Sequence, residues 1–75
     1  MKLTIRNLPD PGAAWLALAE RATACAAAFT VEHPDRRPRD PVVYEYSGHQ
    51  FPCAVSVYWT KAGTLVAYVD DRREA

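Results

Sequence analysis

Between Val42 and Asp70 apolar and polar residues alternate, the period of two that places one set of side chains on one face of a β-strand. In Phe51-Pro52-Cys53-Ala54-Val55-Ser56-Val57-Tyr58-Trp59 the larger apolar residues take every second place. Two turns set the neighbours of this strand. Lys61-Ala62-Gly63 reads as a three-residue hairpin loop with glycine in the left-handed position. It pairs Thr60 with Thr64 and sets Trp59 opposite Leu65, Val57 opposite Ala67 and Val55 opposite Val69. Gly48-His49 reads as a two-residue turn with glycine first, pairing Ser47 with Gln50. Tyr46 then faces Phe51, Tyr44 faces Cys53 and Val42 faces Val55. Both registers bring the apolar sets of three strands to the same face, and a one-residue slip would destroy that agreement.

Upstream the pattern changes twice. Lys2-Leu3-Thr4-Ile5-Arg6 alternates and predicts a short strand with Leu3 and Ile5 inward. Asn7 to Gly12 turns the chain, with Asp10 suited to cap a helix N-terminus and Pro11 to its first position. A helix is predicted from Pro11 to Ala28. Trp15, Leu18, Ala22, Cys25, Ala26 and Phe29 fall on its buried stripe at three- and four-residue spacing. On the opposite side Ala13, Ala17, Ala24, Ala27 and Ala28 surround only Glu20 and Arg21. That smooth surface follows from the helix propensity of alanine, or it lets a second helix or backbone approach closely.

Residues 30–41 carry three prolines among mixed charges and predict a loop without regular structure. A connection that long in so small a domain tends to be functional or mobile. Residues 71–75 are expected to fray. The whole, residues 1–75, reads as a single small α+β domain. It is a two-layer β-α-β-β-β sandwich, one helix packed on a mainly antiparallel sheet; the first strand is left open between a place beside the last strand, which is favoured, and one beside the Val42 strand.

Composition narrows the classes of function. Nine basic and nine acidic side chains cancel, which argues against a general nucleic-acid binder. The segment from Ala13 to Phe29 is too short and too charged to span a membrane, and no signal-peptide pattern follows Lys2. Cys25 and Cys53 are too few for a disulfide framework, lack metal spacing, and fall on core faces as free thiols. A bacterial cytoplasm, reached in one version by a phage-encoded chain, fits this usage. His33 and His49 lie in predicted turns with no ligand partners at metal spacing. No nucleophile, phosphate loop or paired-carboxylate arrangement is recognisable. The expectation is a non-enzyme with no catalytic residue, no metal and no cofactor.

If the helix covers the face of Tyr44, Phe51, Val55, Val57, Trp59, Leu65 and Val69, the other face carries Val43, Glu45, Ser56, Tyr58, Val66 and Tyr68 with no second helix left to cover it. A half-solvated antiparallel sheet is one reading. The other is a protein contact surface, since aromatic and apolar groups rimmed by polar ones have that character. The candidate partner-binding residues are therefore Glu45, Tyr58, Val66 and Tyr68 on the sheet, with Asp35, Arg36, Arg37 and Arg39 in the loop.

Two resemblances add to this. Leu3-Thr4-Ile5-Arg6-Asn7-Leu8-Pro9-Asp10 resembles the opening of ribbon-helix-helix antitoxins and repressors, in which such a strand lies in the DNA major groove. That resemblance implies base reading by Lys2, Thr4 and Arg6. The family needs a second helix after a short turn, and this chain has prolines and a sheet there. As a type, a short motif-free chain with exposed aromatics and charged loops, the protein resembles the anti-CRISPR inhibitors of phages and mobile elements. That resemblance implies binding to a protein or ribonucleoprotein complex and blocking its nucleic-acid or partner site, with no chemistry. The chain is expected to be a monomer or weak dimer, without direct nucleic-acid or membrane contact. Glu32, Asp35, Asp40, Glu45, Asp70 and Asp71 would then meet basic surfaces.

Overall fold

The computed structural model describes residues 3–9 and 12–73. Five elements follow one another: β1 (Leu3–Arg6), α1 (Ala13–Glu32), β2 (Val42–Tyr46), β3 (Cys53–Trp59) and β4 (Leu65–Asp71). They form the expected two layers, with α1 on one face of a single sheet of order β1-β4-β3-β2. β1 lies parallel to β4, and the other two pairings are antiparallel. The first strand thus sits beside the last, the favoured of the two places the sequence left open. Lys2, Asp10 and Pro11, including the capping roles of the latter two, lie outside the described residues.

The β3–β4 hairpin matches its predicted register throughout, from Trp59↔Leu65 to Val55↔Val69. Gly63, at φ +80°, takes the left-handed position, and the Thr60 N–H donates to Thr64 O at 2.9 Å to close the loop. The β2–β3 hairpin differs. Tyr46 pairs with Cys53, Tyr44 with Val55 and Val42 with Val57, two residues along from the expected partners, and residues 47–52 form the connection. Pro52 explains the shift. Its nitrogen carries no hydrogen for a ladder, so a two-residue turn would put a proline opposite Glu45 in mid-strand. Beginning β3 at Cys53 removes that conflict. A slip of two preserves which side chains face the helix, so the core is the predicted one despite the wrong partners.

The helix begins two residues later than predicted and ends four residues later. Thr30, Val31 and Glu32 belong to α1, correcting the loop assigned to residues 30–41. The mild helix cost of β-branched Thr30 and Val31 is outweighed where Phe29 is fully buried, and Pro34 disfavours helical geometry at His33, which ends the helix. His33 N–H still donates to Phe29 O at 2.8 Å. Leu18, Ala22, Cys25, Ala26 and Phe29 are buried as expected, whereas Trp15 is 39% exposed. The buried row steps back four residues from Leu18 to the small Ala14, and the larger Trp15 ring stands at its margin. Against this row pack Cys53, Val55, Val57, Trp59, Leu65, Ala67 and Val69, with Leu3, Ile5, Tyr44 and Phe51 at the periphery.

Residues 71–73 are not frayed. Asp71 ends β4 opposite Cys53, Arg72 N–H donates to Pro52 O at 3.0 Å, and Arg73 holds Asp71 through its guanidinium. The carbonyl that Pro52 leaves free is what secures this segment.

Candidate functional site

The strand registers lay out the uncovered face row by row. Thr4, Val66 and Tyr58 stand abreast at the end nearer the Lys61 turn. The middle row is Arg6, Tyr68, Ser56 and Val43. At the far end Asp70 and Glu45 flank Ala54. Arg72 spans the last row, with Nε 3.1 Å from Asp70 Oδ2 and Nη1 3.3 Å from Glu45 Oε1. Ala54, between the two bridged carboxylates, is buried on a face that no other element covers among the described residues.

Val43 is 53% and Tyr68 42% exposed, and Tyr58 and Ser56 are half-buried between them. Of the sheet candidates, Tyr58 and Tyr68 therefore reach solvent, and Glu45 is exposed but engaged by Arg72. Val66 does not. Shaded by Tyr58 on one side and Thr4 on the other, it is 4% exposed and corrects the expectation that it contributes to binding. Thr4 and Arg6 complete the face. Their place was hidden in the sequence until the partner of the first strand was known.

The loop candidates gather elsewhere, at the sheet end where β3 finishes. Trp59 Nε1–H donates to His33 O at 2.9 Å, tying the start of the loop to the core. The Arg36 guanidinium lies 5.7 Å from the Trp59 ring centroid, a cation–π contact made with Arg36 in the left-handed backbone region at φ +56°. Arg39 contacts His33 Nδ1, and Arg37 Nε is 4.0 Å from Asp35 Oδ2 on the exposed surface. Trp59 points toward the helix, so these side chains share an end of the sheet with Tyr58 but not the row of Tyr68 and Val43.

Of the acidic groups expected to meet a basic partner, Glu45, Asp70 and Asp71 are paired internally with Arg72 and Arg73. Hydrogen bonds from Arg73 hold the Asp71 carboxyl below the usual carboxylate range. The acidic end is thus largely neutralised.

Both cysteines are buried free thiols, as predicted. Cys25 Sγ and Tyr46 Oη are hydrogen-bonded at 3.1 Å. Arg21 donates to Phe51 O, lies 3.8 Å from Cys53 Sγ, and has its guanidinium 5.0 Å from the Tyr46 ring centroid. Burial pushes the Cys25 thiol up, and the bond to Cys25, followed by burial, pushes Tyr46 up to about 12. A thiol held protonated under a helix is a poor nucleophile, so this cluster reads as packing. Among the described residues no three of His, Cys, Asp and Glu are grouped to hold a metal ion. The outer side of α1 bears a shallow depression of about 410 Å³ lined by Ala19, Glu20, Thr23, Ala24 and Ala27, with a single carboxylate for chemistry. No helix is long and apolar enough to cross a membrane among the described residues.

β1 is hydrogen-bonded to β4 within the chain, and one helix follows it before the sheet resumes. The strand that resembles a ribbon-helix-helix opening is therefore set in a different architecture. No family model, curated protein or solved structure matches this chain.

Proposed function

We propose that this chain is a non-enzymatic binding domain that docks the open face of its sheet on a protein or ribonucleoprotein complex and blocks it by occupying space. The observation that carries this reading is the row Arg6-Tyr68-Ser56-Val43, in which an exposed tyrosine and valine stand on a sheet face that no element covers among the described residues. Aromatic groups fixed on a strand lose little entropy on contact and supply large desolvated area, the properties of interface anchors. A poor nucleophile in the core and a near-neutral charge favour occlusion over chemistry or general nucleic-acid binding. The reading extends to an anti-CRISPR-like inhibitor acting in the bacterial cytoplasm against a host-defence complex.

The test is target-DNA binding by a purified CRISPR effector complex, titrated with this protein and with Tyr68→Asp. The wild-type chain is expected to abolish DNA binding in a stoichiometric, saturable way, and Tyr68→Asp to lose that effect while keeping its fold. A duplex titration of the chain alone runs beside it. Affinity for bare DNA that falls steeply with salt would replace the proposal with direct DNA binding.

A further inference from the structure

Residues 34–41 lead from the end of α1 to the start of β2 with three prolines and no helix or strand of their own. Among the described residues two side chains join this loop to the rest of the molecule, Arg36 at the Trp59 ring and Arg39 at His33 Nδ1. Arg37 reaches only Asp35, inside the loop. The segment is a strap with two fastenings.

His33 itself is firmly placed. Its N–H donates to Phe29 O at 2.8 Å, its O accepts from Trp59 Nε1–H at 2.9 Å, and its ring centroid lies 5.0 Å from that of Phe29. Each ring nitrogen then has its own neighbour. Arg39 Nη1 stands at Nδ1, and Glu32 Oε2 is 4.0 Å from Nε2. A guanidinium has donors and no acceptor, so Nδ1 is the accepting nitrogen and the proton of the neutral ring sits on Nε2. Protonation would place a second donor at Nδ1, against Arg39, and make both partners cations. The same proton gives Glu32 an opposite charge to pair with. The two arrangements exclude one another. Of the other groups around this corner, Arg36 is engaged at the Trp59 ring. Tyr44 on β2, pushed up by burial and then by the charge of Glu32, stays protonated throughout the histidine range.

We propose that His33 is a proton-sensitive latch on the 34–41 loop. The neutral ring fastens the loop through Arg39, and the protonated ring releases Arg39 and pairs with Glu32. Release leaves the loop on the Arg36 contact alone and frees Arg39 at the sheet end where the loop arginines gather. The fastened loop selects neutral His33, so it is complete above the histidine range and lost as pH falls through it. This is a property of the loop and does not depend on what the open face binds.

Nitrogen-15 relaxation from about pH 8 to about pH 5, the range in which histidine titrates, tests the latch. Backbone order parameters at Asp35, Arg36, Arg37, Arg39 and Asp40 are expected to fall from about 0.85 to below about 0.6 as the pH drops. The midpoint should coincide with that of the His33 ring signals, and β3 and β4 should not change. Arg39→Ala is expected to give the low values at both ends of the range. His33→Gln, whose amide oxygen still accepts from Arg39 and takes up no proton, is expected to keep the high values at both ends. Glu32→Gln removes the partner of the charged ring and should move the midpoint to lower pH. Loop amides equally ordered at both ends of the range in the wild-type chain overturn the proposal. So does a loss of order that survives His33→Gln, that His49→Gln abolishes, or a fastened loop that Arg39→Ala leaves unchanged.

Discussion

The inner and outer faces of the sheet are built by the same strands, one residue in alternation with the next, and only one of them has a helix over it. On the inner face Val55, Val57, Leu65, Ala67 and Val69 are fully enclosed, and Trp59 nearly so. On the outer face the neighbours in the same strands include Ser56, Tyr58, Tyr68 and Asp70, with exposures that range widely. The inner face has little tolerance for polar groups, and among the described residues the one buried hydroxyl oxygen without a partner sits at its rim, on Tyr44. The outer face accommodates charge because water or Arg72 can satisfy it. The strand backbone is common to both, so cover decides burial, and burial decides which chemistry a position accepts.

The sharpest way to break that contrast is Trp59→Ala. Truncating a buried tryptophan costs about 3–5 kcal/mol. Here it also removes the bond to His33 O and the ring beneath Arg36. A domain of this size has only about 4–11 kcal/mol in total. Denaturant unfolding is expected to show most of the stability gone, and a melting temperature within a degree or two of wild type would mean the faces are reversed.

A smaller loss is expected from replacing Cys25 and Cys53 together by serine. Each hydroxyl enters an apolar layer, at a cost of about 1–3 kcal/mol where it finds no partner. Tyr46 Oη beside Cys25 reduces that cost at one site. In the native protein both thiols should label slowly with a thiol reagent and then react on unfolding. Rapid native labelling of either would show that the inner face is open.

Alkaline titration examines the margin between the faces. Tyr46 is pushed up from 10.0 to about 12 in the folded chain, so its protonated form is favoured by folding. The stability it contributes is complete below pH 10 and is lost as pH rises from there through about 12. Ultraviolet titration of wild type and Tyr46→Phe should differ by one late-ionising tyrosine. Burial also pushes Tyr44 up, so the number of late-ionising tyrosines is the test, and a number unchanged by Tyr46→Phe would move the assignment to another tyrosine.

The smallest effect belongs to the outer face. Val43→Thr and Tyr68→Thr remove exposed apolar surface from strands that keep their pairing. Each should change unfolding free energy by no more than about 0.5 kcal/mol. A loss comparable to that of Trp59→Ala would show that this face is covered in solution even at low concentration.

The sequence by itself determined which residues face the helix. Period-two alternation and a glycine-closed loop are local properties, and they assign Trp59, Val57 and Val55 to the core without knowledge of any partner. The buried row of α1 was legible for the same reason, apart from Trp15, whose place depended on how closely the first turn approaches the sheet. What only the tertiary structure decided was everything that depends on neighbours distant in sequence. Pro52 shifted the β2–β3 register by two, because a ladder tests whether an N–H exists at each position and periodicity does not. Phe29 and the sheet beneath it carried the helix through Thr30 to Glu32. The binding candidates divided along the same line. Tyr58 and Tyr68 could be assigned to an outer face from alternation alone. That Val66 is shaded, that Arg6 stands beside Tyr68, and that Arg72 neutralises Glu45 and Asp70 follow from strand order, which is set by packing across the whole sheet and is encoded in no single stretch of chain.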